Sequence, residues 1–152
     1  MMNNLLNMPI PATADLFQVA DLCSEFVIKL VESDDPAESL ALCGRLSHAL
    51  TALRQLCDED LPPHLLESLT VDEPPAPCVP DCWVDSNVLV EYAQGLTQAL
   101  LSRVLAGSVT VPLTGLLHDL VILLTEYLRQ PHIRRESDHA VSSDTGRCTW
   151  KA

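Results

Sequence analysis

Apolar residues return every three or four positions in four separate stretches of this sequence, and each stretch carries its own start or stop signals. That period is the one an α-helix needs to bury a single face. The first stretch runs from about Ala14 to Glu32, with Thr13 as its expected N-cap and Leu16, Val19, Cys23, Phe26 and Leu30 in one stripe. The second runs from about Pro36 to Cys57. Asp35 caps it and Pro36 takes the first helical position, where its missing N–H costs nothing. The third is expected from about Ser86 to Ala106, with Asp85 or Ser86 as cap, Tyr92 and Leu96 in its stripe and Gly107 at its C-terminal stop. The fourth is expected from about Pro112 to Gln130, ended by Pro131.

Between the second and third stretches the chain changes character. Glu73-Pro74-Pro75-Ala76-Pro77-Cys78-Val79-Pro80 is too rich in proline for helix, because each ring fixes φ and removes a donor. The expected fold is therefore all-α: a four-helix bundle-like arrangement of two helical hairpins, 14–57 and 86–130, joined by a Pro-rich linker, 58–85. Residues 1–131 form one domain in this reading, and 132–152 a flexible polar tail. Aromatic residues are only 4%, so Leu, Val and Ala must supply the core, which suits helices better than sheets. A shift of 70 residues lays the first hairpin over the second, His48 on His118 and Leu50 on Leu120 among others, as any two amphipathic hairpins would partly do.

The search for reaction chemistry returns little. The five glycines are scattered, so no phosphate-cradling loop can form from them. His48 and His118 have no nucleophile at a helical spacing that would face them. No cofactor is implied, and the chain is read as a non-enzyme. Cys78 and Cys82, with Cys57 and His64, form the nearest approach to a zinc set, although their spacing matches no regular zinc motif. The six cysteines are otherwise read as reduced thiols, three of them in helical stripes. With no signal-peptide pattern and no apolar run beyond Leu120–Leu124, the expectation is a cytoplasmic protein that does not enter a membrane.

Charge is the strongest functional cue. The formal net charge is −12, and residues 1–85 hold 15 acidic groups against three basic ones, whereas the remainder is balanced. Nucleic acid would be repelled, and a protein partner with a basic or neutral surface is expected. The function read from the sequence is an adaptor, regulator or inhibitor acting through its acidic first hairpin. One specific form is an acidic inhibitor in the basic groove of a nucleic-acid-handling protein. Glu32 and Asp34 lie at one end of that hairpin and Asp58, Glu59 and Asp60 at the other, and these five are the expected partner-binding residues. The last three sit at the negative end of a helix dipole, where carboxylates are unfavourable. The fourth helix is apolar on more than one face. Either the helix is the buried centre or it carries a subunit interface, and Leu117, Val121, Ile122, Leu124 and Leu128 are expected to form a homodimer interface. Gly44, Gly95 and Gly115, inside helices, raise the expectation of close helix–helix approach.

Overall fold

The computed structural model describes residues 4–136, and the expected tail from 137 onward lies outside them. The fold is all-α. A short α1 (Asn4–Asn7) precedes α2 (Leu16–Glu32) and α3 (Pro36–Asp58); α4 (Pro63–Leu69) and β1 (Thr70–Val71) follow. A single 3₁₀ turn (Asp81–Trp83) leads into α5 (Ser86–Leu101), α6 (Gly107–Arg129) and β2 (Ile133–Arg134).

The four long helices close a cycle of contacts, with α2 packed on α3 and α6, and α5 packed on α3 and α6. Local signals set most of the ends. Asp15, not Thr13, caps α2: its carboxylate accepts from the Gln18 N–H at 2.9 Å while the Gln18 side chain accepts from the Asp15 N–H. Asp35 accepts from Ala37 N–H at 3.0 Å and Asp85 from Asn87 N–H at 3.0 Å. The core joins Phe26 and Val27 of α2 and Leu46 and Leu50 of α3 to Leu89 and Ala93 of α5 and Leu117, Val121, Leu124 and Tyr127 of α6. Burying a Leu or Phe side chain contributes roughly 1.5–3 kcal/mol, so this cluster dominates stability.

Polar ties fix how the helices align. Ser24 and Thr125 share a 2.8 Å hydroxyl bond between α2 and α6. Arg129 reaches Asp21 at 2.5 Å and stacks over the Phe17 ring. On the other side, Arg54 of α3 meets Glu91 of α5 at 2.5 Å. The end of α6 therefore lies by the start of α2, and the end of α3 by the start of α5.

Three expectations about the helices need correction. Tyr92 is half exposed, and the buried face of α5 is Leu89, Val90, Ala93 and Thr97, so the stripe is rotated by about one residue. A three-to-four-residue period accommodates either choice; the larger ring keeps its hydroxyl in water while the small Ala93 and Thr97 face the core. The third helix stops at Leu101, and Gly107 opens α6 rather than closing α5. The reversal is made by Arg103 at φ 56°, a left-handed position that no glycine marks. Pro112 lies inside α6, near its start and on its exposed side, where water can serve the carbonyl its ring leaves unpaired.

The Pro-rich linker is folded onto the bundle. Leu65 and Leu69 of α4 and Val79 of the Pro-rich segment are buried. Gln130 grips that segment by donating to the Ala76 carbonyl at 2.6 Å and accepting from the Cys78 N–H at 2.8 Å. The Tyr127 hydroxyl donates to the Val84 carbonyl at 2.6 Å. The tail does not begin at His132: Thr70 pairs with Ile133 and Val71 with Arg134 in a two-stranded parallel ladder.

None of Gly44, Gly95 and Gly115 has an atom within 4 Å of an added Cβ, so close helix approach does not explain them. Gly44 and Gly95 are exposed mid-helix positions. Alanine at each should stabilise the protein by about 0.5–1 kcal/mol, through lower unfolded-state entropy. Urea unfolding of the double variant checks this; a lower midpoint would mean that a tight contact exists there after all.

Candidate functional site

The expected dimer stripe is the first point the structure revises. Leu117, Val121, Leu124 and Leu128 are buried inside the monomer, and Ile122 packs partly buried against the same core. An apolar helix in a bundle can be central or can carry an interface, and the C-terminal half of α6 is central. It lies against both α2 and α5, so its apolar surface is already covered.

The first half of α6 is different. Its first buried residue is Leu117, and ten residues from Gly107 to Leu116 come before it, roughly 15 Å of helix. Val111 is 74% exposed, Leu116 52% and, in the preceding turn, Val104 81%. From Val104 to Leu117 there is no charged residue. By length and composition alone α6 is apolar enough to cross a membrane, yet only 22% of its most apolar eighteen-residue window is buried in this fold. The uncovered apolar surface therefore lies in the first half of the helix.

Part of that surface, Val111 with Thr110, Thr114 and Gly115, forms one wall of an open groove of about 700 Å³ at the end of the bundle where α2 turns into α3 and α5 into α6. Leu30, Val31, Leu40 and Cys43 line the α2–α3 side, and Leu100, Leu105, Val111 and Gly115 the α5–α6 side. Its geometry follows from unequal turns. The α2–α3 reversal, Ser33–Asp35, is tight: the Ser33 N–H donates to Leu30 O and the Asp35 cap starts α3 at once. The α5–α6 reversal is looser, from Ser102 to Ala106, and lets α6 start well ahead of its first core residue. The polar lining is largely self-satisfied, since the Thr110 and Thr114 hydroxyls bond carbonyls of their own turn at 3.2 and 2.8 Å.

The groove's lining carries one charge of each sign. Asp34 and Arg103 are the charged residues in its lining, one on each side. Glu32, Asp35 and Glu38 stand beside Asp34, and with it border a second, smaller hollow against Leu5 and Leu6 or cap α3. Lys29 is paired with Glu32 at 3.5 Å. Asp34 makes no hydrogen bond or ion pair among the described residues. Of the five expected partner-binding residues, Asp34 thus lies in the groove's lining, and Glu32 in that of the smaller hollow beside it.

The other three are at the opposite end of the bundle. Asp58 accepts from the Asn87 amide at 2.9 Å, a structural tie between α3 and α5, and Glu59 is the C-cap of α3. Nearby, Asp15 lies 3.1 Å from His64 Nε2. Partial burial would raise the Asp15 carboxyl, but the Gln18 N–H and His64 outweigh it and hold its pKa below the ordinary value.

The zinc set is not assembled. Cys57 is half-buried at the end of α3, with its thiol pushed up to about 11 by burial, whereas His64 lies on α4 and Cys78 and Cys82 are exposed on the linker. Among the described residues no group of three or more His, Cys, Asp or Glu is placed to hold a metal ion, and the five described cysteines are free. His118 lies 2.9 Å from the neighbouring Asp119.

The chain matches no protein-family model, no curated protein and no solved structure.

Proposed function

We propose that this chain is a non-enzymatic binding protein, an adaptor, regulator or inhibitor, and that it docks a partner protein in the groove between the α2–α3 and α5–α6 turns. The observation that carries this reading is the uncharged first half of α6, which holds Val111 in water as one wall of a ready-made, largely apolar hollow. Soluble proteins seldom leave contiguous apolar surface uncovered without a use for it. Peptide-binding grooves take their affinity from apolar anchors of this kind.

A backbone amide NMR titration with a neutral amphipathic Leu/Gln helix tests the reading. Shift changes are expected at residues 28–43 and 100–116, and Val111→Asp is expected to abolish them. No shift changes, or changes spread over the opposite end around Asp58 and His64, would reject the groove as a docking site.

A further inference from the structure

We infer that the groove's occupant is a second copy of this chain, joined about a two-fold axis that runs along the groove; this rests on the groove being a docking site. A two-fold contact needs a face that complements itself. With the axis along the groove, the α2–α3 wall of each copy meets the α5–α6 wall of the other. The two charges of the lining stand on opposite walls, Asp34 on the first and Arg103 on the second. Asp34 of each copy then meets Arg103 of the other, and two ion pairs form at once. Neither residue has an ion-pair partner in its own chain among the described residues.

The apolar surface is arranged to match. Among the described residues, half of the large apolar side chains left exposed gather at this end: Val31, Leu40, Val104, Val109 and Val111. A hollow needs a ridge to fill it, and this face carries both. Val31, Leu40 and Val111 line the hollow, whereas Val104, 81% exposed, and Val109, 43% exposed, stand outside the lining at the start of α6. The ridge of each copy enters the hollow of the other. A chain of net charge −12 repels its copy over much of its surface, and the uncharged run from Val104 to Leu117 lets two copies meet without adding to that repulsion. The dimer covers the groove, so any other partner must displace one copy to dock there.

The test is sedimentation equilibrium of the full chain and its variants at moderate salt, with circular dichroism confirming the fold of each. The wild-type chain is expected to dimerise reversibly, and Val111→Asp to leave it monomeric. Asp34→Arg sets arginine against arginine in both pairs, and Arg103→Asp sets acid against acid. Each should weaken self-association about tenfold or more. Aspartate tolerates the positive φ at position 103, so the turn is kept. General repulsion predicts the opposite for Asp34→Arg, which lowers the net negative charge. Mixed in equal amounts, the two single variants should form a heterodimer as tight as the wild-type dimer, because both of its pairs are again of opposite sign. A mixture that associates no better than its components would overturn the inference. So would a wild-type dimer that none of the three substitutions weakens, which places the interface elsewhere. A wild-type monomer that still binds the neutral helix at residues 28–43 and 100–116 overturns it while leaving the docking site standing. A monomer that instead co-sediments with phosphatidylcholine vesicles, unless Val111 is changed to Asp, overturns it in favour of a lipid surface.

Discussion

Val121→Asp is expected to abolish the cooperative fold, while Val111→Asp, ten residues earlier on the same helix, is expected to leave it intact. Val121 is fully buried in the cluster that α6 shares with α2 and α5, and the core around it is apolar. An aspartate there must stay protonated or ionise without a partner. Holding it neutral at pH 7 means raising its pKa by several units at about 1.4 kcal/mol each. Losing the valine's own burial adds roughly 1.5 kcal/mol or more. The total, on the order of 5 kcal/mol, is comparable to the whole stability of a typical domain. Val111 is mostly in water, and its substitution removes little buried area. Thermal melting followed by circular dichroism compares the two variants. Loss of fold in both would make the first half of α6 structural and weaken its reading as a binding surface. A normal melt for Val121→Asp would mean that the stripe Leu117, Val121, Leu124 and Leu128 is not the centre of the bundle.

The two halves of α6 also mark how far a sequence can be read. Its periodicity declares a helix with apolar faces, but Val111 and Val121 are the same residue in the same pattern. Which of them is buried depends on where α2, α3 and α5 end, a relation across more than sixty residues of chain. Signals that act within one turn are legible: Asp35 followed by Pro36 announces α3 because cap and ring act on the adjacent backbone. The α5–α6 turn misleads for the same reason. Gly107 looks like a stop and Pro112 like a start, whereas the chain reverses at Arg103, a residue type that does not advertise a positive φ. The grip of Gln130 on the Pro-rich segment joins residues more than fifty apart, and no local pattern encodes it. At the groove, the acidic Asp34 is plain in the sequence, but the apolar wall opposite it becomes visible only when the two turns meet at one end.

Raising the pH from about 9 to 12 is expected to unfold the chain. Burial pushes the Cys23 thiol up to about 12, with the nearby Cys57 adding to the effect. Burial likewise moves Cys43 to about 11. It moves Cys57 to about 11 against a hydrogen bond with Ser86. Burial raises the Tyr127 phenol to about 12, helped by Cys78 and Asp85. All four groups are neutral when protonated, so in each case the folded chain holds its proton more tightly than the unfolded one. Their stabilising contribution is complete below the unfolded thiol value of 9.0 and is lost as the pH climbs through the folded values. The thiols begin the loss and Tyr127 joins it above its unfolded value of 10.0. The slope is about 1.4 kcal/mol per pH unit for each proton by which the two states differ, and the four contributions accumulate in one window. The chain's net charge of −12 adds repulsion that grows as further anions form. Urea unfolding at successive pH values from 8 to 11 should show a level response followed by a steep fall, reversible on return to pH 8 with reductant present. Cys23→Ala should start from a lower stability, because it removes a buried sulfur, and yet fall less steeply. A stability that stays level to pH 11 would mean that Cys23 and Cys57 meet water in the folded state, and the α2–α3 half of the core would then have to be looser than the packing around Phe26 and Leu50 requires.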